Sequence, residues 1–212
     1  QEARILGRLD HPGLVPVHDA GQLADGRPFY VMRLVRGERL DHHLERAQPS
    51  LAERLRIFLK ICEPVAFAHA HGVVHRDLKP ANIMVGPFGE VLVLDWGVAK
   101  VRGAESPPVP EAVPLAAGAT GPGAVLGTAG FMAPEQAAAD GRKDERTDVF
   151  ALGCILHFVL TGEPPVRGGT HAEQLARTRE AGFASLRQRF PGRMIPVSLE
   201  AIFHRATARD PA

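Results

Sequence analysis

Apolar residues return every three to four positions along several stretches of this chain, the spacing of one helix face, and cluster in short runs elsewhere. The longest periodic stretch carries Leu51, Leu55, Phe58, Leu59, Cys62, Val65, Ala66 and His69 on one predicted face. Ser50 and Glu53 form a capping-box signature at its start, and Gly72 suits its stop. Pro64 falls inside, where it should remove a backbone bond and kink the helix, at a cost of about 3 kcal/mol if nothing compensates. Residues 2–9 read as the end of a helix with Ile5, Leu6 and Leu9 on one face, terminated by Asp10-His11-Pro12-Gly13. Strands are predicted at 15–20 and 29–34, joined by a turn at Asp25-Gly26-Arg27. A short helix at 40–46 follows. A small hairpin is expected from Ile83–Val85 and residues 91–94 around Gly86-Pro87-Phe88-Gly89. Residues 102–124, with five prolines and little periodicity, predict a long loop. Helical patterns resume at 146–160, closed by Gly162, and at 170–181 and 197–208. The chain has no internal repeat.

Composition sets the surroundings. A chain of 212 residues can bury one sizeable core, in one domain or at most two. Hydrophobic residues make up 45% and charged residues 23%, ordinary for a globular protein. With a net charge of +1, nothing suggests nucleic acid or an anionic membrane surface as the main partner, and neither nucleic acid nor a membrane span within the chain is expected. Cys62 and Cys154 sit in apolar helical patterns without metal-ligand spacing, so a reduced, cytoplasmic compartment is expected. The longest apolar run, 149–160, is too short to span a bilayer. Any membrane anchor of the full-length protein would lie outside this chain.

The chemistry concentrates in His75-Arg76-Asp77-Leu78-Lys79-Pro80-Ala81-Asn82, followed by Asp95-Trp96-Gly97. Asp77 is a carboxylate able to orient a hydroxyl and accept its proton, and Lys79 is a cation for a phosphoryl group in flight. Asn82 and Asp95 are oxygen ligands of the kind that Mg²⁺ prefers. The bland alternative, a polar turn between a helix and a hairpin, does not call for this combination of residues.

These motifs, with Gly127-Thr128-Ala129-Gly130-Phe131-Met132-Ala133-Pro134-Glu135 and the helix bearing Asp148 and Gly153, resemble the protein kinase superfamily. Within it the chain closely resembles a bacterial, eukaryotic-like (Hanks-type) serine/threonine protein kinase, and the similarity covers nearly all residues. The resemblance implies an α+β, protein kinase-like fold. Residues 1–34 would be a remnant of the β-rich N-lobe, and 35–212 a mostly helical C-lobe with a catalytic loop at 75–82 and an activation segment at 95–135.

It also implies ATP and Mg²⁺ as cofactors and protein substrates with Ser or Thr acceptors. Asp77 would be the base, Lys79 the stabiliser of phosphoryl charge, and Asn82 and Asp95 the metal ligands. Lys79 and Thr128 favour Ser/Thr over Tyr acceptors. Met32 matches the gatekeeper, Val35 would offer its backbone to adenine and Met84 would floor the ring; the alternative for each is plain core packing. Glu38 or Asp41 would reach the ribose. Glu2 matches the helix glutamate that pairs with a phosphate-anchoring lysine, and Leu6, Val17, His75 and Trp96 match the packed column linking the lobes.

Regulation is implied as well. Arg76 matches a cation that receives an activation-segment phosphate; its structural alternative is satisfaction by Asp148 or by carbonyls. Thr120 is the first choice of phosphosite and Ser106 the second. A kinase dimer for trans-autophosphorylation is an expected partner. Trp96 replaces the usual Phe before Gly97, and Ala81 does not support a strong basic preference just before the acceptor.

Both ends of the chain look cut. The glycine-rich loop and the lysine for the ATP phosphates would lie upstream, so the isolated chain is expected to be nearly inactive. Glu135 is expected to be a partly buried, unpaired carboxylate, because its arginine partner would lie downstream. The competing function is a pseudokinase or scaffold that binds partners; a small-molecule phosphotransferase is disfavoured by Thr128 and Ala133-Pro134-Glu135.

Overall fold

A computed structural model describes residues 9–96, 100–101, 129–138, 144–180 and 182–208. The order begins with the strands β1 (Val17–Gln22), β2 (Pro28–Met32) and β3 (Glu38–Arg39), then the helices α1 (Leu40–Ala47) and α2 (Leu51–Ala70). Next come β4 (Val73–Val74), a 3-10 turn at Pro80–Asn82, β5 (Ile83–Val85), β6 (Val91–Val93) and β7 (Lys100–Val101). A second 3-10 turn at Ala129–Phe131 leads to α3 (Pro134–Ala138), α4 (Glu145–Thr161), α5 (His171–Glu180), α6 (Leu186–Arg189) and α7 (Val197–Ala206). Helices dominate and the sheets are small and antiparallel, the α+β class that the motifs imply.

β1 and β2 form a two-stranded hairpin with Gln22 opposite Pro28 and an irregularity between Val17 and Asp19. Its strands lie within two residues of the predicted ones. Val15 leaves the strand and joins the core instead, because Pro16 after it has no N–H to give a ladder. β3, β5 and β6 form a three-stranded sheet, with Met84 opposite both Arg39 and Leu92. β4 pairs with β7.

The Ser50–Glu53 capping box forms as expected: Glu53 N–H donates to Ser50 Oγ, and Ser50 N–H to Glu53 Oε2 at 2.8 Å. α2 then runs continuously through Pro64, whose buried ring packs on the turn at Gly13. The predicted apolar face of α2 needs correction. Its buried residues are Ile57, Ile61, Pro64, Val65 and Ala68, whereas Leu51 and Leu59 are exposed. Apolar residues occur around most of this helix, so spacing alone does not choose a face; packing against α4 and β6 does.

α4 is the central pillar. Asp144 caps its start by accepting from Arg146 N–H, and Gly162, at φ 77°, closes it by donating to Phe158 O at 2.7 Å. One side of α4 gives Phe150, Ala151, Cys154, Ile155 and Val159 to the core shared with α1, α2, β5 and β6. Leu156 and Leu160 join Leu186, Ile195 and Phe203 in a second cluster. A helix apolar all round belongs inside a fold. Gly153 admits α7 to close range: a Cβ there would lie 2.8 Å from Thr207 Cγ2 and 2.9 Å from Ala206 Cβ. Burial raises both thiol pKa values, that of Cys62 to about 11. Among the described residues, no helix is long and apolar enough to cross a membrane.

Candidate active site

The loop after β4 is built on one buried carboxylate. Asp148, in the first turn of α4, is fully buried and accepts three hydrogen bonds. The N–H groups of His75 and Arg76 each donate at 2.8 Å, and His69 Nε2 lies 2.7 Å away. A buried carboxylate needs such partners, and here they reach it from α2 and from the loop. Arg76 adopts φ 71°, left-handed for a residue with a Cβ, and the bond to Asp148 holds its N–H.

His75 is also buried. Its Nδ1 accepts from Asp77 N–H at 3.2 Å, so its Nε2 carries the proton and donates to Leu94 O at 2.7 Å. Burial depresses its pKa and keeps the ring neutral; the carboxylates around it, Asp148 foremost, oppose that shift without overcoming it. The ring meets Trp96 edge-on, with centroids 4.6 Å apart. Trp96 is 6% exposed and donates Nε1–H to Val93 O at 3.0 Å. Tryptophan here thus adds a hydrogen bond to the packing of the apolar slot. Of the expected column, His75 and Trp96 meet, while Leu6 and the side chain of Val17 lie outside the description.

Two predicted residues converge on one oxygen of a third. Lys79 Nζ lies 2.7 Å from Asp77 Oδ2, and Asn82 Nδ2 donates to the same atom at 3.1 Å and to Asp77 O at 2.8 Å. Pro80 begins the 3-10 turn that brings Asn82 back under Asp77, with Asn82 N–H bonded to Lys79 O. Leu94 N–H donates to Asn82 O at 2.8 Å, which ties the end of β6 to the loop. Asp95 comes next, exposed and at φ 59°. With Nδ2 committed to Asp77, Asn82 keeps Oδ1 as its acceptor. Together with the Asp95 carboxylate this is an oxygen set that fits Mg²⁺, a cation that retains waters and takes substrate phosphates alongside few protein ligands. Among the described residues no group of three His, Cys, Asp or Glu side chains forms a closed metal site.

The proposed nucleotide residues are Met32 at the end of β2, Val35 and Met84, all half-buried. β3 pairing with β5 links the segment after Val35 to the strand that carries Met84. Glu38 is engaged by Arg46, 2.8 Å away, whose hydrogen bond lowers its pKa, and Asp41 by Arg39 at 2.6 Å. Arg76, Asp77, Leu78, Lys79, Phe131, Met132, Gln136 and Ala151 line a small cleft. Phe131 is buried edge-on to Phe158.

Glu135 corrects an expectation. It is half-buried but not unpaired, since Thr147 Oγ1 donates to it at 2.7 Å. The sequence reading missed His69 as a partner of Asp148, and it missed Gln136. Gln136 donates Nε2–H to Arg76 O at 2.7 Å and accepts from Ala133 N–H at 3.1 Å. A glutamine three residues after a helix start is a capping signal, and that was the available clue. Glu2, Gly97, Thr120 and Thr128 lie outside the described residues.

The protein kinase domain model matches residues 1–198. Serine/threonine-protein kinase PknD of Protochlamydia amoebophila is 36% identical over 80% of the chain and 19% of that protein. PknB of Mycobacterium leprae is 34% identical over 100% of the chain and 32% of its own length, and PknH of Mycobacterium bovis 35% over 100% and 33%. Both are also named serine/threonine-protein kinases. The chain therefore spans a third or less of these relatives. With the family model covering most of its length, and Lys79 and Asn82 drawn to Asp77 as described, this chain belongs to the protein kinase family.

Proposed function

We propose that this chain carries the catalytic floor of a serine/threonine protein kinase that transfers the γ-phosphoryl group of ATP to protein hydroxyls. The observation that carries this reading is the convergence of Lys79 and Asn82 on Asp77 Oδ2, on a backbone held by buried Asp148.

Asp77 orients the acceptor hydroxyl and takes its proton as the oxygen attacks the γ-phosphorus. Lys79, already beside Asp77, neutralises charge on the phosphoryl group during transfer. Asn82 and Asp95 would hold Mg²⁺, which when bound would supply charge neutralisation for the phosphates. Met32, Val35 and Met84 receive the adenine. Leu78, Phe131, Met132 and Ala151 form the apolar side of the cleft that receives the residues next to the acceptor.

The test uses the full-length protein with labelled Mg-ATP and a protein acceptor, followed by phosphoamino-acid analysis. Label is expected on Ser or Thr, and Asp77→Asn is expected to lower turnover by about 10³-fold with unchanged melting temperature. Undiminished turnover in Asp77→Asn removes Asp77 from this role, and label on Tyr removes the acceptor assignment.

A further inference from the structure

We propose that Gln136 is a positioning residue for phosphotransfer, locking the acceptor-side turn to the backbone immediately before Asp77; this rests on the reading of Asp77 as the catalytic carboxylate. Gln136 is half-buried in the first turn of α3. Its Oε1 accepts from Ala133 N–H at 3.1 Å. Alanine at that helix start has no side-chain acceptor of its own, so the glutamine supplies one half of a capping box. Its Nε2 reaches the carbonyl of Arg76 at 2.7 Å, sixty residues away in sequence.

Those two partners fix the amide orientation. A flip would set oxygen against the Arg76 carbonyl and NH₂ against the Ala133 N–H, two like-polarity contacts. Only an amide side chain offers a donor and an acceptor in this arrangement, and asparagine is one methylene shorter.

The position of the bonded carbonyl matters most. Arg76 sits at φ 71°, a conformation that a residue with a Cβ keeps only when its surroundings impose it. Its N–H is held by Asp148 and its C=O by Gln136, so both backbone polar groups of this residue are clamped, from two different helices. The following residue is Asp77. The same Gln136 lines the cleft with Phe131, Met132, Asp77 and Lys79. A shift of the turn that meets the protein acceptor is thereby transmitted to the backbone that aims Asp77. The clamp acts on acceptor geometry and leaves the nucleotide contacts alone.

Two variants of the full-length protein separate the clamp from the cap. Gln136→Glu keeps an oxygen for Ala133 N–H and adds a charge that suits a helix N-terminus, but it faces the Arg76 carbonyl with a second acceptor. Gln136→Met has a similar length and neither hydrogen bond. For Gln136→Glu, kcat/KM toward the protein acceptor is expected to fall about tenfold, with KM for Mg-ATP changed less than about twofold. Its melting temperature is expected to stay within about 2 °C of wild type. Gln136→Met should lose at least as much acceptor kcat/KM.

Wild-type acceptor kinetics in Gln136→Glu, with a lowered melting temperature only in Gln136→Met, would leave a cap and overturn the clamp. Equal losses toward ATP and acceptor together with a lowered melting temperature overturn it too. Asp77→Asn run alongside tells the two readings apart. If it matches wild type, the kinase mechanism fails and the clamp with it; if it is inactive while Gln136→Glu is normal, the clamp alone fails.

Discussion

The loop at 75–82 and the hairpin at 17–32 are both short and without α-helix, yet they are held in opposite ways. The loop is bonded to distant parts of the chain: Asp148 in α4, Gln136 in α3 and Leu94 beyond β6. Its central anchors, Asp148 and His75, are fully buried, so a bond lost there would strand a polar atom away from water. The hairpin is organised by its own ladder and by local contacts such as Gln22 Nε2 to Gly26 O and Asp25 to Arg27. Its Leu23 and Val31 are 44% and 46% exposed. A two-stranded hairpin of this kind specifies register but little stability. Geometry that chemistry depends on is held here by buried polar bonds, while the hairpin relies on exposed, local ones.

That contrast can be broken at graded points. Asp148→Ala should strike hardest, since it strands the N–H groups of His75 and Arg76 and the ring of His69. Urea unfolding of the full-length protein is expected to show a loss of about 4 kcal/mol for the domain. A loss below about 1 kcal/mol would mean that the carboxylate is not the keystone of the loop.

Acid should act next, and on the same body of the molecule. Burial drives His157 down to about 4, with the hydrogen bond to Glu163 O opposing that shift, so the ring is neutral in the fold. In the unfolded chain it takes up a proton near pH 6.5, about the usual histidine value. Between these values the unfolded state binds more protons. Stability is therefore complete above pH 6.5 and falls as pH drops toward 4, by about 3 kcal/mol from this residue. His75, also depressed by burial, adds to the loss in the same direction. Unfolding free energies measured from pH 7.5 to 4.5 should follow that slope, and His157→Gln should flatten it; a flat wild-type profile would remove both histidines from the account.

Ser50→Ala takes away the Oγ that accepts from Glu53 N–H at the start of α2, for about 1 kcal/mol in the same measurement. Val31→Thr in the hairpin is expected to change stability by less than about 0.5 kcal/mol. An effect of Val31→Thr larger than that of Ser50→Ala would collapse the distinction between the two regions.

Much of the architecture was legible because its causes are local. The capping box at Ser50 and Glu53, the stop at Gly162 and the hairpin around residues 86–89 each depend on neighbours a few positions apart, and all three form. The spacing of Asp77, Lys79 and Asn82 likewise suffices for a tight turn that returns Asn82 to Asp77. Illegible were the contacts that close over long stretches of chain. His69 carries no local sign that it faces Asp148, and nothing near Glu135 marks Thr147 as its donor.

By itself, the sequence determined the longer helices, several turns and the set of chemical groups in the loop, because backbone preference and short-range hydrogen bonding act within a few residues. The tertiary structure alone decided which face of α2 is buried, choosing Ile57, Ile61, Val65 and Ala68 over Leu51 and Leu59. It also decided that Asp148 and Gln136 hold the two backbone polar groups of Arg76. Both outcomes depend on what is brought opposite in the folded chain, where apolar area and buried polar atoms find partners that no local pattern names.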